Sequence, residues 1–207
     1  VARDKQLLPQ GDWLIWLILA GRGFGKTRTG AEAVRELVDA GRISQIGLIA
    51  RSAAEIRDVM VEGPSGILSV YPSAYRPTYE PSKRRITWGN GAVAHTYSAD
   101  EPDQLRGPQH DFIWADEIAA WPYRETWDNA MFGLRVGMAR VIATTTPKPK
   151  ALLRELIAAQ STHVTRGATA ENMANLSETF RRLVVAKYAG TTLGRQELGG
   201  ELLDETP

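Results

Sequence analysis

The sequence has no cysteine. Disulfides and thiolate metal sites are therefore excluded, and a reducing compartment is the natural expectation. It has no long apolar run either. The longest, Trp13 to Ala20, is far too short to span a bilayer and lacks the flank of a secretory signal. Charge of one sign is also missing. A formal net charge of +1 argues against a protein that coats nucleic acid by bulk charge, while a local basic track remains open. The three histidines, His95, His110 and His163, show no metal-ligand spacing and receive no role. The chain starts at Val1, which suggests a fragment or a processed chain.

What is present suits one domain, or one with a small appendage. Of 207 residues, 43% are hydrophobic and 24% charged, enough apolar material to bury a core without staples. The cations are mostly Arg, which favours forked contacts to phosphate or carboxylate.

Short apolar runs alternate with helical patterns. Trp13 to Leu19, Ile46 to Ala50, Asp111 to Ala115 and Ala139 to Thr144 read as buried strands, the last as the final core strand. Lys26 to Ala40, Ala53 to Glu62, Pro122 to Phe132 and Ala151 to Gln160 read as helices. Gly89-Asn90-Gly91 between Arg84–Trp88 and Ala92–Tyr97 signals a hairpin. The alternation predicts an α/β fold with a mainly parallel sheet flanked by helices. From Arg166 the character changes, and helices over Leu176–Tyr188 and Leu193–Leu203 suggest a small helical subdomain. The expected division is a core over 1–165 and a lid over 166–207.

Ala20-Gly-Arg-Gly-Phe-Gly-Lys-Thr27 fits the phosphate-loop pattern except at its first position, where Ala20 replaces Gly. Gly21, Gly23 and Gly25 let main-chain N–H groups turn inward around an anion, with Arg22 and Phe24 between them. The helix that follows adds its N-terminus. Lys26 would reach the β- and γ-phosphates of ATP, and Thr27 would offer a hydroxyl to Mg²⁺. A plain glycine turn predicts neither Lys-Thr nor the strand before and helix after. Arg22 would either contact the γ-phosphate or point to solvent.

Phe112 to Asp116-Glu117 is an apolar strand ending in two acids. In a parallel sheet that end faces the same edge as the phosphate loop. Asp116 would then hold Mg²⁺, and Glu117 would orient and deprotonate the attacking water. Thr144, Thr145 and Thr146 follow the next strand and could sense the γ-phosphate, although threonine also favours strand ends. Arg106 sits in a loop before the acid strand, either as an arginine finger for a neighbouring subunit or as a surface residue. Lys83, Arg84 and Arg85 could track a DNA backbone, or simply be a solvated basic turn. Trp13, Trp16, Trp88 and Trp114 read as core, and Trp121 and Trp127 are undecided.

Several segments together resemble the ATPase domain of the large terminase subunit of tailed bacteriophages, the motor that packages viral DNA. They are Gly11–Trp13 leading into Leu19–Glu32, Arg57–Gly63, Leu105–Gln109, Asp116–Glu117, Thr144–Pro147 and Tyr188–Leu198, which span nearly the whole chain. The resemblance implies a P-loop fold of the additional-strand, catalytic-glutamate type, with an extra strand between the nucleotide-binding strand and the acid strand. It keeps the roles of Lys26, Thr27, Asp116 and Glu117 and makes Thr144–Thr146 a coupling motif. It further implies that Arg106 acts in trans, that Gln6 reads adenine, and that the C-terminal helices form a lid.

Full-length members of the family carry a nuclease domain where this chain ends, so no nuclease activity is expected of it. The implied partners are double-stranded DNA, the portal protein of the procapsid, the small terminase subunit and further copies in a ring, with no membrane, in the cytoplasm of the infected host. A superfamily-2-like helicase or repair ATPase and a nucleotide-gated assembly module without turnover are the alternatives.

Overall fold

The structure is a computed structural model and describes residues 2–203, so the last four residues of the expected lid, 204–207, lie outside the described residues. One sheet of eight strands organises it: β1 Ile15–Ala20, β2 Gln45–Ala50, β3 Thr78–Glu80, β4 Arg85–Thr87, β5 Val93–Ser98, β6 Phe112–Asp116, β7 Arg140–Thr145 and β8 Thr162–Gly167. Their order is β3-β4-β5-β2-β6-β7-β1-β8. The run from β5 to β8 is parallel, and β3 and β4 join it antiparallel through the hairpin. β7 therefore lies between β1 and β6, as the additional-strand fold requires.

The central strands are apolar at nearly every position because both faces are covered. Side chains alternate between the faces. Trp16 and Ile18 of β1 join Trp114 of β6 and Val34, Leu37 and Val38 of the helix α1 (Lys26–Asp39) in one core. Leu17 and Leu19 join Ile113, Val141 and Leu153 in the other. The undecided Trp121 and Trp127 pack in this second core. Helix α1 sits close on β6 because Gly30 has no side chain: a Cβ there would lie 2.3 Å from the Trp114 ring. Among the described residues, no helix is long and apolar enough to cross a membrane.

Four details differ from expectation. β7 is the last strand of the buried core, but one further strand, β8, follows it at the edge of the sheet. β8 is an edge strand with Thr162, His163 and Arg166 in its sequence, so it lacks an apolar run, yet it pairs with β1 along its whole length. The boundary expected between residues 165 and 166 falls inside it. Residues 53–61 are helical, but from Ile56 to Val61 the helix is of the wide π form. The final helix spans only Thr192–Glu197, and Gly199-Gly200 follows it, with Gly200 in the left-handed region.

Candidate nucleotide site

β1 ends at Ala20 and α1 begins at Lys26. The loop between them turns at Gly23 and Gly25, whose φ values of +75° and +101° are open to glycine at little cost. Among the described residues the N–H groups of Gly23 and Gly25 have no backbone acceptor. The N–H groups of Lys26 and Thr27 belong to the first helical turn and cannot be paired within it. Together they form a concave main-chain donor set at a positive helix end, which suits an anion. The Thr27 hydroxyl has no hydrogen-bond partner among the described residues.

Lys26 is buried beside this loop. Its Nζ donates to the carbonyl of Ala20 at 2.9 Å and to Thr146 Oγ1 at 3.2 Å, and lies 3.5 Å from Glu117 Oε1. The phosphate loop and the acid pair therefore meet at one edge of the sheet, across the end of β7. Register explains it, because Thr144 of β7 stands opposite both Ile18 of β1 and Asp116 of β6.

The two acids differ sharply. Asp116 is buried at the end of its strand and accepts a hydrogen bond from the Thr144 hydroxyl. Burial pushes its carboxyl up to about 6. The Thr144 hydrogen bond opposes that rise, and the Glu117 charge adds to it. Glu117 is the next residue and leaves the strand in the left-handed region, at φ 49° and ψ 48°. A non-glycine residue seldom holds that conformation without support from its surroundings. Here the support is on β7 and just beyond it: the Glu117 carboxylate accepts from Thr146 N–H at 3.1 Å and Thr146 Oγ1 at 3.3 Å, with Thr145 Oγ1 at 3.4 Å. The kink carries Glu117 out of the strand while Asp116 stays in it, and both line the cleft.

No cluster of three or more His, Cys, Asp or Glu able to hold a metal occurs among the described residues. The donors near the loop are one buried carboxylate, Asp116, and one unpartnered hydroxyl, Thr27. Such a sparse oxygen set fits Mg²⁺, which keeps water and borrows phosphate oxygens, and does not fit a dedicated metal cage.

The site lies in a cleft of about 1660 Å³. One wall is made by segments whose role the sequence did not reveal. Arg22 Nε lies 2.6 Å from Glu197 Oε2, and Arg22 N–H donates to the Glu197 carbonyl. This carboxylate also holds the Arg22 guanidinium charged, above its ordinary value. Thr169 Oγ1 donates to the Arg22 carbonyl and Asn172 Nδ2 to the Gly23 carbonyl, each at 2.6 Å. From the other side, the Arg3 guanidinium lies 4.3 Å over the buried Phe24 ring and donates to the Phe24 carbonyl. Thr169, Asn172 and Glu197 fall within the expected lid over 166–207, and Glu197 also within the Tyr188–Leu198 segment; Arg3 had no sequence signal.

The remaining candidates lie apart from the acids or at the rim. Gln6 donates to Thr29 Oγ1 at 3.1 Å and borders Gly25. Arg106 is exposed, does not line the cleft, and pairs with Asp103 and Glu125. Lys83 and Arg85 both pair with Glu80 on the antiparallel edge, with β5, β2, β6 and β7 between them and β1. Arg84 beside them is exposed and left-handed.

The fold recurs in solved phage structures. The ATPase domain of the Thermus phage P74-26 large terminase superposes with a TM-score of 0.67 at 20% identity, over 94% of this chain and 90% of that one. The large terminase of a second thermophilic bacteriophage, in complex with ADP, gives 0.74 at 18% identity, over 93% of this chain and 48% of that one. This chain thus spans about half the length of that second terminase. The N-terminal domain of the DNA packaging ATPase from bacteriophage phi29 gives 0.53 at 14% identity, over 75% of this chain and 90% of that one. No curated protein sequence matches the chain. A family profile described as terminase large subunit, T4likevirus-type, N-terminal, matches residues 17–206. With the match running from residue 17, in the middle of β1, to residue 206, the chain belongs to the terminase large subunit family, in its N-terminal part.

Proposed function

We propose that this chain is a Mg²⁺-dependent ATPase whose turnover drives double-stranded DNA into a procapsid. One observation carries the proposal: Lys26 Nζ and Glu117 Oε1 stand 3.5 Å apart at the mouth of the glycine loop. A lysine that binds phosphate and a carboxylate that can take a proton from water are thus presented to the same small volume.

The division of labour follows from the geometry. Main-chain N–H groups of Gly23 to Thr27 cradle the phosphates, and Lys26 exchanges its carbonyl and Thr146 partners for phosphate oxygens. Thr27 and Asp116 would hold Mg²⁺, which when bound neutralises phosphate charge. Glu117, held by Thr146, orients the attacking water and accepts its proton. Release of the phosphate alters what Thr146 and Arg22 touch, and these two connect to β7 and to Glu197 of the lid wall. The ADP complex of a related terminase supports nucleotide binding by this chain.

The finer assignments follow. Gln6 contacts adenine from beside Gly25. Arg106, exposed and outside its own cleft, completes the site of a neighbouring copy in a ring. The portal protein, the small terminase subunit and the cytoplasm of the infected host complete the setting. Residues 166–207 serve as the lid. Lys83 and Arg85 share the single charge of Glu80, so the turn keeps positive charge for a DNA backbone, with Arg84 exposed beside them. A helicase would need a second lobe, and the described residues form one sheet.

The test compares Mg-ATP turnover and ATP binding in wild type, Lys26→Ala and Glu117→Gln at high protein concentration. Wild type should turn over, and Lys26→Ala should lose both binding and turnover. Glu117→Gln should bind ATP yet lose about a hundredfold or more in rate, as expected for loss of a general base. Wild type that binds ATP without turnover would favour an assembly module, and an undiminished Glu117→Gln would remove the proposed base.

A further inference from the structure

Six cations line the cleft: Arg22, Lys26, Arg28, Arg35, Arg51 and Lys148. Arg22 is paired with Glu197, Arg28 with Glu32, Arg35 with Glu32 and Asp39, and Arg51 with Glu55. Lys26 is occupied within the loop. Among the described residues, Lys148 alone of the six has no acceptor or carboxylate partner. It is an uncompensated positive charge on the wall of a site built for an anion.

Its backbone is held in place. Lys148 stands between Pro147 and Pro149, in the link from β7 to the helix Ala151–Ala158. Both prolines fix φ, and each keeps the residue before it extended. A 2.7 Å bond from Lys150 N–H to the Lys148 carbonyl closes a tight turn around Pro149. Two residues earlier is Thr146, which binds both Lys26 and Glu117. At about 3.3–3.6 Å per residue, the Lys148 backbone lies within about 7 Å of Thr146 along the chain. Its four-carbon stem carries the ammonium along the cleft that Lys26, Thr146 and Glu117 also line. A stiff link presenting a free ammonium loses little entropy when that group is engaged.

We infer that Lys148 is a second phosphate-binding lysine, one that engages the terminal phosphate of the bound triphosphate. Lys26 approaches from the loop side, and Lys148 from the end of β7, beyond the glutamate. Because Lys148 follows Thr146, which holds Glu117, it would meet the terminal phosphate and so distinguish a triphosphate from a diphosphate. It also carries the loss of that phosphate to the helix Ala151–Ala158 through the proline-stiffened turn. The inference rests on the proposed nucleotide site and goes beyond it.

The experiment measures equilibrium binding of ADP and of a non-hydrolysable ATP analogue, each with Mg²⁺, to wild type, Lys148→Met and Lys148→Arg. Lys148→Met should lose about tenfold in affinity for the analogue, as expected for one charge-assisted hydrogen bond, and keep its affinity for ADP. Lys148→Arg should recover most of the loss. The side chain is not part of either core, so thermal melting of both variants should match wild type. Equal losses for both nucleotides, or unchanged affinity for both, would overturn the assignment. So would a defect confined to binding of duplex DNA, which would make Lys148 a DNA contact. Wild type that binds neither nucleotide would instead overturn the ATP site itself, and this assignment with it.

Discussion

The sheet beneath the phosphate loop and the segment that closes over it are held by different forces. Beneath the loop, Trp16, Ile18, Phe24 and Trp114 have no exposed surface, and helix α1 packs so tightly that Gly30 cannot carry a side chain. Above it, the helical stretches from Glu178 to Tyr188 contain no buried residue, and in the helix Thr192–Glu197 only Gly194 is buried. That segment is fastened mainly by polar contacts: Arg22 with Glu197, Asn172 with Gly23, Thr169 with Arg22, and Glu171 with Lys5 at 2.9 Å. Apolar burial over whole strands is lost only in global unfolding, whereas a few exposed polar bonds open locally. The phosphate loop is therefore a joint, fixed on one side and releasable on the other. A motor needs such an asymmetry, because the chemistry must stay aligned while something else moves.

The sheet side of this contrast can be stressed by pH. His110 is buried beside Tyr97, with ring centroids 5.3 Å apart, and its Nε2 has no hydrogen-bond partner. Burial chiefly, with His95 adding to it, lowers its pKa from 6.5 to about 4. The folded protein keeps this ring neutral while the unfolded chain protonates it, so stability is full above pH 6.5 and is lost as pH falls toward 4. The whole loss is on the order of 3 kcal/mol, since each pKa unit corresponds to about 1.4 kcal/mol. Urea unfolding at pH 7 and pH 4.5 should show that His110→Phe loses less stability than wild type over this interval. An equal loss would mean that protonation of His110 does not strain the sheet.

A smaller effect belongs to the wall that carries Glu197. Glu197→Ala should change global stability by no more than about 1 kcal/mol, because the Arg22 side chain is largely exposed and the pair is screened by water. Amide hydrogen exchange should nevertheless quicken over residues 192–198 and stay unchanged in β2 and β6. Quickened exchange in the strands as well would mean that the two regions are one cooperative unit, and the contrast would fail.

How much of this could be read from the sequence depends on how local each signal is. The glycine loop, Lys26-Thr27 and Asp116-Glu117 are contiguous patterns set at ends of apolar runs, and they could be read directly. The strand β7, with Thr144 to Thr146 at its end, could be placed as a strand, but its position between β1 and β6 came only through the resemblance. β8 was missed because an edge strand buries one face and so lacks the apolar run by which central strands are recognised. The left-handed kink at Glu117 leaves no mark in a one-dimensional pattern, since its cause is the threonines at the end of β7. Arg3, Thr169, Asn172 and Glu197 reach the loop from the two ends of the described chain. Nothing around Arg3 announces it, and the other three are marked only by lying in the stretch expected as a lid, Glu197 also by the Tyr188–Leu198 segment.

The central claim is that a triphosphate lies between the glycine loop and the acids at the end of β6. A structure with Mg²⁺ and a non-hydrolysable ATP analogue tests it most directly. Phosphate oxygens should lie within about 3 Å of the main-chain N–H groups of Gly23 to Thr27 and of Lys26 Nζ. The terminal phosphate should face Glu117. A nucleotide bound elsewhere on the sheet, or one whose phosphates point away from Asp116 and Glu117, would contradict the account.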